Sequence, residues 1–101
     1  MLIVEGWIKY AKGDVKRLGN APAKAVEATL ANEKGCLHYS IAVCVNDPDT
    51  IRISERWRDE EALQGHFGQP HMTEFMTALA KAKREAGDVR VYSGEEVRRL
   101  I

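Results

Sequence analysis

This chain has no apolar stretch long enough to cross a bilayer, and none that resembles the apolar core of a secretory leader. It has no excess charge of either sign: fifteen basic and fifteen acidic side chains cancel to a net charge of zero. No basic cluster or interleaved aromatic stripe marks a nucleic-acid surface. No G-x-G-x-x-G follows a predicted strand, and there is no phosphate loop or nucleophile elbow. The three histidines have no recognised metal spacing such as H-E-x-x-H. Only two cysteines are present. Cys36 and Cys44 fall in one predicted strand, about eight rises of roughly 3.3 Å apart, too far to bridge each other. Neither has an activating motif beside it, so both are expected as buried, reduced thiols. Linkers, repeats and low-complexity tracts are missing too. These absences leave a single domain over residues 1–101, expected in the cytoplasm, with no nucleic-acid or membrane partner. A domain of this size buries roughly 60–70% of its unfolded surface.

The informative part of the chain is Arg56 to Met72. Before it, Thr50 to Trp57 alternates, with Ile51, Ile53, Glu55 and Trp57 on one face and Arg52, Ser54 and Arg56 on the other. That period of two marks a half-buried strand. Asp59 is a good N-cap, and Glu60 and Glu61 put negative charge in the first helical turn. Ala62, Leu63, His66 and Phe67 share one face of the helix that follows. Gly68 ends that helix, and Pro70 opens another from the first-turn position where its missing N–H costs nothing. Met72, Phe75, Met76 and Leu79 give the second helix its own apolar face.

The remaining elements fall into place around this segment. Leu2–Tyr10 reads as a strand. Residues 14–34 read as mainly helical, kinked or divided at Gly19 and Pro22, with Gly35 as the stop. Cys36–Val45 reads as a second strand, Asn46–Asp49 as a hairpin loop, and Thr50–Trp57 as the third strand. The last helical stretch is expected to run to about Glu85. Gly87-Asp88 then turns into a short strand, Val89–Tyr92, before a partly helical tail, 93–101. The order β-α-β-β-α-β predicts an α+β, ferredoxin-like fold: a four-stranded antiparallel sheet with helices on one face. The first two strands are substantially apolar on both faces. An open apolar sheet face exceeds what monomers usually tolerate, so a two-fold homodimer burying more than roughly 1,200 Å² is expected.

Three groups of residues carry a family resemblance: Glu33-Lys34-Gly35-Cys36 before the second strand, Glu55-Arg56-Trp57-Arg58-Asp59, and His66 through Pro70-His71-Met72. The chain resembles the antibiotic biosynthesis monooxygenase family, and within it the small quinol-monooxygenase-like members, which form a dimeric α+β barrel. The resemblance covers nearly the whole chain, with Glu33–Phe75 its specific part. It implies oxygenation of an electron-rich aromatic or quinol-type small molecule by dioxygen, with no metal, flavin or haem cofactor. The substrate supplies the reducing power. The protein supplies an apolar cavity, a base, and donors for the oxygen anion. Haem-degrading relatives carry a tryptophan where this chain has His66 and a histidine where it has Met76, so the resemblance does not extend to haem breakdown. A non-catalytic, dimeric ligand-binding or stress-associated protein is the alternative within the same fold.

The candidate site follows from both lines of reasoning. His66, on an apolar helix face, is the first candidate base, although a histidine so placed is more commonly a structural one. His71, in the first turn of its helix, is the second, with a capping or surface role as its alternative. Trp57 is expected as core or as an aromatic wall for substrate. Tyr39 is expected as core or as a pocket hydroxyl, and Phe67 as a further substrate contact. Glu55 shares the face of Ile53 and Trp57, where a buried carboxylate needs a partner. An ion pair with an arginine, of the same chain or across the dimer, is the first expectation for it, and a catalytic base the second.

Overall fold

Alternating strands and two amphipathic helical segments give the architecture that the pattern requires. The computed structural model describes residues 1–101. Its elements are β1 (Leu2–Tyr10), α1 (Asp14–Arg17), α2 (Ala21–Asn32), β2 (Cys36–Cys44), β3 (Asp47–Trp57), α3 (Glu60–Phe67), α4 (Pro70–Leu79) and β4 (Arg84–Ser93). The strands form one antiparallel sheet in the order β2-β3-β1-β4, the ferredoxin-like order. No helix is long and apolar enough to cross a membrane.

The expected division of residues 14–34 is real. Gly19, at φ 59°, turns the chain between α1 and α2, and Pro22 sits in the first turn of α2. Asp59 caps α3 by accepting a hydrogen bond from the Ala62 N–H at 2.9 Å. One face of the sheet receives the helices. Val4, Tyr10, Tyr39, Ile51 and Trp57 are buried there against Val15, Leu63 and Phe75, and Trp57 is completely enclosed.

Several boundaries differ from the sequence expectation. Cys44 pairs with Asp47 across a turn of Val45 and Asn46, so Asp47–Asp49 belong to β3 and not to the loop. The cause is the Asp47 carboxylate. It accepts hydrogen bonds from Lys9 Nζ and Thr50 Oγ1, each at 2.8 Å, and from the Asp49 N–H at 3.0 Å. Those donors hold its pKa down to about 2, with Lys9 the largest contributor. Helix α4 stops at Leu79, short of Glu85, and β4 begins at Arg84, well before Val89. Gly87-Asp88 is part of this strand and not a turn. β4 pairs along β1 from Tyr10↔Arg84 to Leu2↔Ser93. No helix covers it, however, and all ten residues are exposed. An edge strand that buries neither face has no reason to alternate. Residues 94–101 have no regular structure, where a partly helical tail was expected. Cys36 and Cys44 are unpaired and half-buried.

The open face of the sheet is mixed in character. Half-buried Ile3 and Trp7 lie along β1, but β3 adds Arg52, Ser54 and Arg56, all exposed.

Candidate functional site

Four elements converge on the space between the helix-facing side of β3 and the helices. β3 delivers Glu55 and Trp57, and the Asp59 cap then sets α3 so that Leu63 and His66 turn inward. The break at Gly68-Gln69 redirects the chain, so that His71 in the first turn of α4 comes back toward His66, their ring centres 6.2 Å apart. Residue Glu33, the C-cap of α2, completes the group.

Its carboxylate ties the two histidines together. Glu33 Oε2 lies 2.8 Å from His66 Nδ1 and 2.6 Å from His71 Nε2. The side chains of His66 and Glu33 are 2% and 6% exposed, and that of His71 is 13% exposed. An oxygen that accepts from both rings holds each imidazole with an N–H directed at it. The opposite nitrogen, Nε2 of His66 and Nδ1 of His71, then keeps its lone pair. Gly35 makes this approach possible. A Cβ there would stand 2.5 Å from the Ala62 Cβ of α3, so only glycine lets α3 and the Glu33 segment pack this closely.

The other side of His66 is aromatic. Its ring centre lies 4.7 Å from that of Trp57 and 5.2 Å from that of Tyr39. Trp57 Nε1 donates to Glu55 Oε1 at 2.9 Å. This indole N–H is the partner of the buried Glu55 carboxylate within the chain, where no arginine reaches it. Burial raises the Glu55 pKa, opposed by the Trp57 hydrogen bond and by His66, with Glu33 adding a smaller upward push. Burial likewise drives the Tyr39 phenol far above its ordinary value, reinforced by Glu55 and Glu33. Tyr39 therefore stays protonated, and its hydroxyl makes only a long contact with Met72 Sδ at 3.9 Å. Phe67 stands at the surface end of the cluster, 61% exposed, its ring centre 5.6 Å from that of His66.

The structure thus brings His66, His71, Trp57, Tyr39 and Glu55 into one cluster and leaves Phe67 at its margin. A cleft of about 600 Å³ between α2 and α4 reaches the cluster at His71, with Ala25, Ala28 and Phe75 among its apolar lining and Lys24, Glu27 and Glu74 among its polar lining. Sequence reasoning missed Glu33 as a member of the site. The available signal was a pair of histidines five residues apart across a helix break, both turned inward and both needing an acceptor.

The family model for antibiotic biosynthesis monooxygenases matches residues 1–78. The chain belongs to the antibiotic biosynthesis monooxygenase family. An uncharacterised Synechocystis protein is 26% identical over 99 residues, spanning 98% of this chain and 67% of its own length. Among solved structures, a Deinococcus radiodurans protein named as a candidate member of this family is 23% identical. It superposes with a TM-score of 0.83 over 100% of this chain and 99% of its own. A similarly named Nitrosomonas europaea protein is 16% identical, with a TM-score of 0.84 over 93% of this chain and 98% of its own. At these identities the two structures establish the fold.

Proposed function

We propose that this family member is a homodimeric, cofactor-independent monooxygenase for a phenolic or quinol-type aromatic, with Glu33, His71 and His66 as its acid–base centre. The observation that carries the reading is the single Glu33 oxygen held 2.8 and 2.6 Å from two imidazole nitrogens. A buried carboxylate that accepts an imidazole N–H fixes the ring's orientation and tautomer, so that the opposite nitrogen is the one presented to a proton. His71 lines the cleft, so it meets the substrate, and His66 stands behind it as the buried second ring. Once the phenol is ionised, the electron-rich anion reduces dioxygen. One oxygen atom enters the product and the other leaves as water.

The apolar walls of the cleft suit a flat aromatic, and Lys24 at its lining suits the anion that forms. Oxygen uptake by metal-free protein, screened across hydroquinones, anthrones and flavonols, tests the reading. Turnover of one class is the expected result, and its absence across all three removes the enzyme assignment. The homodimer is supported by apolar groups without cover: Ile3 and Trp7 on the open sheet face, and Val97, Leu100 and Ile101 in the tail. Light scattering at micromolar concentration is expected to give twice the chain mass, and a monomer mass rejects it.

One observation favours the alternative of a non-catalytic ligand-binding protein. Trp57, Tyr39 and Leu63 fill the space against His66, all nearly or fully buried. A protein that binds aromatics in the α2–α4 cleft without consuming oxygen fits that packing, and the same uptake screen separates the two.

A further inference from the structure

The Glu33 cluster has a second chemical capacity, one that no metal-ligand spacing along the chain announces. Glu33, His66 and His71 come from a helix C-cap and two different helices, yet their ligand atoms all lie within 4.8 Å of one another. Ligand atoms on one tetrahedral shell stand roughly 3.3 Å apart when each is about 2.0 Å from its ion. The two separations to the Glu33 oxygen, 2.8 and 2.6 Å, are hydrogen bonds a few tenths of an ångström shorter than that, so an ion would replace the shared protons and spread these atoms slightly. The two histidine nitrogens, up to 4.8 Å apart, have to close toward that spacing. With the His66 ring held by its aromatic neighbours, a swing of the Glu33 carboxylate and of the partly exposed His71 ring is the movement that places an ion among the three. Two imidazoles and a carboxylate form a nitrogen–oxygen set suited to zinc and its first-row neighbours, and unsuited to calcium or magnesium.

We propose that Glu33, His66 and His71 bind a single divalent transition-metal ion. The burial pattern gives such a site its other requirements. Glu33 and His66 are closed off from solvent on the sheet side. His71 opens onto the α2–α4 cleft, whose lining includes the carboxylates of Glu27 and Glu74. The cleft is thus an entry path for a cation and leaves one coordination position for water. Trp57 and Tyr39 pack against the His66 ring and fix its plane.

Binding carries a consequence for the acid–base centre, and this part rests on the function proposed above. A metal takes lone pairs at His66 Nδ1 and His71 Nε2, so the remaining proton of each ring moves to the opposite nitrogen. Neither ring then has a free lone pair, and the ion switches the base off.

Chelator-treated protein is titrated with Co²⁺, read by its visible absorption, and with Zn²⁺ by calorimetry. The expected result is one ion per chain at micromolar concentration, with a four-coordinate cobalt spectrum. Glu33→Gln and His71→Ala are each expected to weaken binding by roughly tenfold or more, while His38→Ala, which removes the histidine paired with Ser54 on the open sheet face, leaves it unchanged. No binding by the wild type overturns the site, as does undiminished affinity in both Glu33→Gln and His71→Ala, or loss on His38→Ala alone. Circular dichroism of each variant separates lost ligation from lost folding, and the isosteric Glu33→Gln is the variant expected to keep the fold. These readings need no substrate, so they stand apart from the oxygen-uptake test. Where uptake is found, one equivalent of Zn²⁺ is expected to abolish it and a chelator to restore it. Uptake that persists at saturating Zn²⁺ overturns the switching role alone.

Discussion

The two buried carboxylates flanking His66 are the same chemical group in opposite situations. Glu33, at the helix end of the cluster, is bonded to two rings that can each gain or lose a proton. Glu55, at the sheet end, is bonded to an indole N–H that does neither. A carboxylate with titratable partners can exchange protons with a substrate and share its charge with them. One with a fixed donor is held in place, with its ionised form disfavoured by burial. On the function proposed above, chemistry falls to the Glu33 end and rigidity to the Glu55 end.

The sharpest way to break this contrast is to neutralise each carboxylate in turn. Glu33→Gln is expected to slow oxygen uptake by roughly 10²- to 10⁴-fold, the usual loss when general-base catalysis is removed. Glu55→Gln, whose amide oxygen still accepts from Trp57, is expected to retain most of the activity. Equal losses at both positions would dissolve the distinction. Next in size is Gly35→Ala. Its new Cβ would stand 2.5 Å from that of Ala62, and relieving that overlap costs about 1–3 kcal/mol. Because the adjustment moves α3, uptake is expected to fall along with the melting temperature.

Glu55 also carries a pH signature. Its folded-state pKa is raised, so the buried carboxyl costs the fold nothing extra below about pH 4.3, where both states are protonated. As the pH rises from there through the folded-state value, the unfolded chain ionises more readily and stability falls. Glu55→Gln removes this titration. Urea denaturation at a series of pH values is expected to show the variant gaining on the wild type across that window and holding its advantage above it. The smallest effect is expected at Thr29, one helical turn before Glu33. Its Oγ1 is buried with no hydrogen-bond partner, so Thr29→Val is expected to be neutral or to stabilise by about 1 kcal/mol in the same assay.

The sheet end of the cluster was readable from the sequence and the helix end only half so. Ile51, Ile53, Glu55 and Trp57 alternate within one strand, and Asp59 announces the next helix, because local periodicity and capping are written in neighbouring residues. His66 is visible as an inward-facing ring for the same reason, whereas His71 reads equally as a base, a cap or a surface residue. Glu33 is not visible, since it is 33 residues from one partner and 38 from the other. Nothing about a helix C-cap says which later helix will return to it. Glu55 is placed inside by the same alternation, but its partner within the chain is not legible there. The indole that satisfies it lies two residues along the same face, and from the sequence that indole reads as core or as an aromatic wall, not as a hydrogen-bond donor. β4 was read short because an uncovered edge strand has no buried face to impose alternation.

The pairing of that edge strand bears on how the chain assembles. β1 and β4 lie side by side from Leu2↔Ser93 to Tyr10↔Arg84, and the Gly94 N–H donates to the Met1 carbonyl at 3.0 Å. These are the contacts of greatest sequence separation in the molecule, and closing them carries the largest loop-entropy penalty. β4 is accordingly expected to join a sheet that β1, β2 and β3 have already formed. The two paired ends also lie within reach of a short peptide. A circular permutant that links Gly94 to Met1 and reopens the chain at Val45-Asn46 would turn the slowest pairing into a local hairpin, at the cost of making β2–β3 the distant one.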